Sequence, residues 1–106
     1  MTSQTERLAL LAEEMGEAIQ MIGKILRHGI ESTHPDRPGP NNGNMLEDEL
    51  GDVLAAINLL VISGDLEQSA IDLARESKYE RLGQYLNYKQ NQAHVAELIQ
   101  SGTESR

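Results

Sequence analysis

Residues 8–26 read Leu8-Ala9-Leu10-Leu11-Ala12-Glu13-Glu14-Met15-Gly16-Glu17-Ala18-Ile19-Gln20-Met21-Ile22-Gly23-Lys24-Ile25-Leu26. Within this stretch Leu8, Leu11, Met15, Ile19, Ile22 and Leu26 recur at steps of three and four, the period of an amphipathic helix. Ser3 and Glu6 offer a capping box ahead of it, and Gly29 stands where helices often stop. A first helix is therefore predicted over roughly residues 4–28. Residues 29–43, next along the chain, hold all three prolines, three glycines and two adjacent asparagines without a sustained period, which predicts a long loop. Asn44 with Glu47 repeats the capping-box pattern. Leu46, Leu50, Val53, Leu54, Ile57, Leu60 and Val61 then carry a second helix to Ser63-Gly64. Asp65, with Gln68 three residues on, is expected to cap a third helix whose stripe is Leu66, Ala70, Leu73, Ala74, Ser77 and Leu82. Val95, Leu98 and Ile99 support a short fourth helix around residues 92–99. β-branched alternation is absent, so no strand is expected. The predicted fold is all-α: a helical bundle of three long helices plus a short C-terminal helix, one domain over residues 1–100 with a flexible tail at 101–106.

Composition narrows the function classes. The chain has 106 residues, 9 basic against 17 acidic, for a formal net charge of -8. Such a field repels nucleic-acid polymers and bilayer surfaces, yet admits a small anion arriving with a divalent cation. The sequence has no cysteine, which excludes disulfides, thiolate zinc sites and thiol nucleophiles. No apolar run reaches membrane-spanning length, and the polar start Met1-Thr2-Ser3-Gln4-Thr5-Glu6 is unlike a signal peptide, so a soluble cytoplasmic protein is expected. Glycines form neither a P-loop nor a GxGxxG arrangement, and no serine stands in a nucleophile setting. A chain this short is expected to leave apolar surface for a partner, the bundle being completed by oligomerisation.

Acidic residues carry the remaining signal. Glu13, Glu14 and Glu17 share one side of the first helix, nearly opposite the Leu8-Leu11-Met15-Ile19-Ile22 stripe at about 100° per residue. Alone, that describes a solvated face. Glu49 and Asp52 repeat the three-residue spacing in a segment that turns almost wholly apolar after Asp52, so the far half of the second helix is expected to be buried on most faces. Two such helices packed antiparallel bring carboxylates to one level, where they repel one another unless protonated or neutralised. A hard divalent cation resolves this. Oxygen-only ligands favour magnesium, with manganese possible, over zinc, and magnesium ordinarily keeps positions open for water and phosphate oxygens.

Glu13-Glu14-Met15-Gly16-Glu17 followed by Glu49-Leu50-Gly51-Asp52 is similar to the EExxE and ExxD pair of the all-α nucleoside triphosphate pyrophosphohydrolases. The stretch Glu49-Leu50-Gly51-Asp52-Val53-Leu54 looks most like their MazG branch, and the resemblance runs from about Leu8 to Tyr85. It implies magnesium-dependent hydrolysis of a nucleoside or deoxynucleoside triphosphate to the monophosphate and pyrophosphate. By position, Glu14, Glu17, Glu49 and Asp52 match the family's metal ligands, and Glu13 matches the adjacent glutamate that orients or deprotonates water. Lys78-Tyr79-Glu80-Arg81 looks like the family's phosphate-contacting helix. It departs from the pattern of an asparagine before the lysine and an arginine four after, having Arg75 before and Arg81 three after. Members complete their bundles by dimerisation or by pairing dimers, which implies a homodimer or homotetramer. The rival reading is a non-catalytic acidic helical module for protein interaction or assembly. A di-iron carboxylate bundle is disfavoured, because its Glu-x-x-His motifs are missing.

Lys24 falls on the face of Glu17 and Gln20, placed to offset the acids, to reach a phosphate, or to stand as a plain surface lysine. Arg27 and His28 read as cations suited to a helix C-terminus. His34 and His94 lack partner spacing and read as solvated, and the loop with Arg37, Asn41 and Asn42 reads as a connector before a lid. Tyr79, Tyr85 and Tyr88 are the only aromatic rings.

Overall fold

A computed structural model describes residues 1–104 of the chain. Helix α1 spans Ser3–His28. Its cap is Thr2, not Ser3: the Thr2 hydroxyl accepts the Thr5 N–H at 3.1 Å, while the Ser3 hydroxyl accepts from Arg7. Gly29 ends the helix at φ 97°, donating its N–H to the Ile25 carbonyl. A side chain at that φ would be strained.

The expected loop contains a hairpin. Strands β1 (Thr33–His34) and β2 (Arg37–Asn41) pair antiparallel, with an irregular register between Thr33 and His34. Pro38 and Pro40 hide this from sequence patterning, because proline donates no ladder hydrogen bond; a two-stranded ribbon consists only of edges, where proline is tolerated. Backbone bonds from Asn42 to the Ser32 carbonyl and from Gly43 to the Ile30 carbonyl, both 2.8 Å, close its base. A Cβ on Gly43 would lie 3.0 Å from Ile30 Cγ1, a tight approach at which the Ile30 side chain must give way by a few tenths of an ångström.

Helix α2 spans Asn42–Ile62. Its capping box is one turn earlier than expected: Asn41 accepts from the Asn44 N–H at 2.8 Å, and the Asn44 side chain accepts from the Asn41 N–H at 3.1 Å. Ser63 caps the C-terminal end, and Gly64 follows at φ 87°. Together α1, the hairpin and α2 form a compact unit over Met1–Leu66. Arg7 meets Asp65 while Gly29 meets Asn42, so α1 and α2 run antiparallel.

The face that α1 turns toward α2 is not its most apolar one. Ala18 and Met21 are buried, flanked at helical steps by half-buried Leu11, Glu14 and Ile25, and Ala56 and Leu60 are buried on α2. Leu8, Met15, Ile19, Ile22 and Leu26 remain exposed, Ile19 at 68% and Leu26 at 82%. Leu54 and Ile62 are exposed as well, at 60% and 85%. The far half of α2 is therefore not covered on most faces within the chain, as one neighbouring helix covers only one stripe.

A second unit, Glu67–Arg106, contains α3 (Gln68–Leu82) and α4 (Lys89–Glu104). Glu67 precedes α3 without a side-chain capping bond. Asp65, expected there as the cap, instead binds Arg7 of α1. Helix α4 has 16 residues and extends past the expected 92–99 at both ends, with Val95 buried and the Gln92 side chain donating to the Leu86 carbonyl at 3.0 Å. Of the expected tail, 101–104 belong to α4, and 105–106 lie outside the described residues. Helices and one short hairpin make the described residues all-α. No helix among them is long and apolar enough to cross a membrane.

Candidate metal centre

Glu14 and Glu17 lie three residues apart on α1, as do Glu49 and Asp52 on α2, and a three-residue step returns nearly to the same helix face. Antiparallel packing sets the two pairs at one level. One oxygen from each of Glu14, Glu17, Glu49 and Asp52 lies within 4.8 Å of the others. Trans oxygens around a hard dication stand about 4–5 Å apart, so the spread matches one such ion.

The surroundings sharpen the electrostatics. Glu14 and Glu49 are half-buried, and one oxygen of each is closed off from solvent with no hydrogen-bond partner. Enclosure pushes both carboxyls above the usual glutamate range, and the Glu17 and Asp52 charges push them further. Orphaned acceptors converging from two elements fit a cation, because desolvated negative charge is costly unless something positive takes it up.

A polar clamp holds the unit's far end. Arg7 Nε donates to Asp65 Oδ2 at 2.6 Å and Arg7 Nη2 to Oδ1 at 3.1 Å, with Gln4 and Ser63 also donating to this carboxylate. The Arg7 bonds chiefly lower the Asp65 carboxyl to about 2. This clamp fixes the start of α1 against the end of α2 and hence the level at which the carboxylate pairs meet.

Glu13 is exposed beside Glu14, and its charge adds to the upward push on that residue. Lys78 and Arg81 are exposed on α3. There Lys78 Nζ sits 4.8 Å from the centre of the Tyr85 ring, and Arg81 Nε donates to the Ser77 carbonyl at 3.4 Å. Asn42 is 4% exposed and donates to the Gly29 carbonyl at 3.0 Å, so it supports the hairpin from below. The side chain of Arg37 lies outside the described residues.

His34 is exposed, as its sequence setting suggests, and also lines two concavities of about 380 and 570 Å3, both shared with Lys24. A third, of about 440 Å3, is bordered by Glu17, Glu49 and again Lys24. Only the hairpin brings His34 to that wall, and no spacing in the sequence announces the hairpin.

The sequence model of the MazG nucleotide pyrophosphohydrolase domain matches residues 2–77. That span contains the four clustered carboxylates and ends just before Lys78 and Arg81. Comparison with curated proteins and with solved structures gives no match.

Proposed function

The chain belongs to the MazG nucleotide pyrophosphohydrolase family, and from that membership we propose that it hydrolyses nucleoside or deoxynucleoside triphosphates to the monophosphate and pyrophosphate. The observation that carries the reading is the convergence of Glu14, Glu17, Glu49 and Asp52 around two enclosed, unpaired oxygens. These four residues would hold magnesium, or manganese in its place. When bound, the ion supplies positive charge to phosphate oxygens and a water of lowered pKa. A solvated acidic face, the rival reading, gives no reason for enclosing oxygens without partners.

The chain's own residues divide the remaining work. Glu13, exposed and next to the cluster, takes the proton of the water that attacks the α-phosphorus. The bond from that phosphorus to the α–β bridging oxygen breaks, and pyrophosphate departs with the electron pair. Lys78 and Arg81, three residues apart on α3, offer charge to the departing pyrophosphate. Residues 1–100 are proposed to act together as one functional domain. The exposed stripe of Met15, Ile19, Ile22 and Leu26 supports a homodimer or homotetramer, since a monomer rarely leaves so continuous an apolar patch in water. We place the enzyme in the cytoplasm, acting on free nucleotides and not on nucleic-acid polymers or membranes.

A panel of canonical and modified triphosphates incubated with magnesium tests this, the products being identified by chromatography. Monophosphate and pyrophosphate are expected. Release of orthophosphate, or no turnover of any nucleotide, contradicts the proposed reaction.

A further inference from the structure

Lys24 borders three concavities of the first unit. On one side are Glu17 and Glu49 of the carboxylate cluster; on the other is the hairpin with His34. Among the described residues Lys24 has no ion-pair or hydrogen-bond partner, although Asp36 and Asp48 share a concavity with it. A half-buried lysine in a chain of net charge -8 that pairs with none of its own acids is available to an anion from outside. The position suits a phosphate. Lys24 follows Glu17 by two helical turns, about 10 Å along the axis, and its long side chain leans toward the N-terminus, the direction of the cluster.

The hairpin end has a different character. Pro35, Pro40 and Met45 give it apolar walls, and Ser32, Thr33 and His34 place polar groups at its edge. The volumes of about 380 and 570 Å3 lie in the range that takes a small organic ligand. The Asp36 N–H donates to His34 Nδ1 at 3.1 Å. That bond makes Nδ1 the acceptor and leaves Nε2–H of the neutral ring as a donor of fixed direction.

Resting on the pyrophosphohydrolase reading, we infer that the substrate lies lengthwise along this groove, with Lys24 gripping the α-phosphate between the carboxylate cluster and a nucleoside pocket walled by the hairpin and His34. Lys24 is then the contact that stays with the monophosphate product. His34 is a specificity residue that sees the nucleoside and not the phosphates.

Titration calorimetry on the full chain separates these roles, using the α,β-methylene analogues of the four deoxynucleoside triphosphates and, in parallel, inorganic tripolyphosphate, each with magnesium. Wild type binds both kinds of probe. Lys24→Met, which keeps the aliphatic stem, weakens both by about tenfold or more, the loss of a charge-assisted hydrogen bond, and Lys24→Arg recovers part of it. His34→Ala weakens the nucleotide analogues alone. Lys89→Met leaves both unchanged. Unaltered binding by Lys24→Met, or equal weakening of tripolyphosphate by His34→Ala, overturns the groove assignment and leaves the hydrolytic reading standing. If wild type binds neither probe, the hydrolytic reading falls and the groove assignment with it. Circular dichroism of each variant identifies any that fails to fold, and the conservative Lys24→Arg then decides: tripolyphosphate binding must survive in it.

Discussion

Asp65 and Glu14 respond to pH in opposite senses. The carboxyl of Asp65, lowered to about 2 by its Arg7 bonds, contributes stability above its unfolded value and loses it as pH falls toward its folded one. Thermal melts between about pH 5 and pH 2 should show a steep decline, and Asp65→Asn should flatten that decline while lowering stability at neutral pH. A slope identical to wild type would dissociate the clamp from acid stability. Glu14 and Glu49 are raised by enclosure and by their acidic neighbours. In the metal-free protein their contribution is full at low pH and is lost as pH climbs through the raised values. Calorimetry with chelator present should therefore show a melting point that falls as pH leaves the ordinary glutamate range, and added magnesium should restore it. Glu14→Gln removes one of the repelling charges. It should melt several degrees higher than wild type without metal and gain little from magnesium, the pattern of a site that carries strain for function. A Glu14→Gln protein that is less stable without metal would contradict the electrostatic account.

Helix by helix, different parts of the molecule were readable from sequence to different degrees. Periodicity is local, so α1 and α2 and the three-residue acidic spacings could be found without knowing the fold. Caps were displaced because polar candidates cluster: Thr2 lies beside Ser3, and Asn41 stands one turn before Asn44. Hydrogen bonding, not pattern, decides among such neighbours. The packing face of α1 was ambiguous for another reason. Leu8, Met15 and Ile22 repeat with the same period as Leu11, Ala18 and Ile25, and only the partner helix determines which row is covered. The hairpin was hidden entirely, because Pro38 and Pro40 mask its pattern and its base is held by backbone bonds from Asn42 and Gly43 to the Ser32 and Ile30 carbonyls together with the buried Asn42 side chain. With it was hidden the place of His34 beside Lys24. Asn42→Ala leaves the Gly29 carbonyl without its donor, and a cost of about 1–2 kcal/mol is expected by urea denaturation. A change near zero would mean that water replaces the side chain and that the hairpin base does not depend on it.

At the scale of the whole molecule, the first unit has a thin core, in which Ala18, Met21, Ala56 and Leu60 are buried, and an uncovered apolar stripe that supports the proposed assembly. Ile19→Glu and Ile22→Glu place charge on that stripe away from the carboxylate seam. Sedimentation velocity should show the assembly shifting to monomer, and an unchanged coefficient would place the interface elsewhere. The central claim is narrower than assembly and can be tested on its own: two pairs of carboxylates, one per helix, face each other because a dication belongs between them. Its most direct test is calorimetric titration of manganese into wild type and into Glu17→Gln and Asp52→Asn. Saturable binding by the wild-type chain, lost or greatly weakened in both variants, is the predicted result. No binding by wild type at millimolar metal, or full binding by both variants, would contradict it.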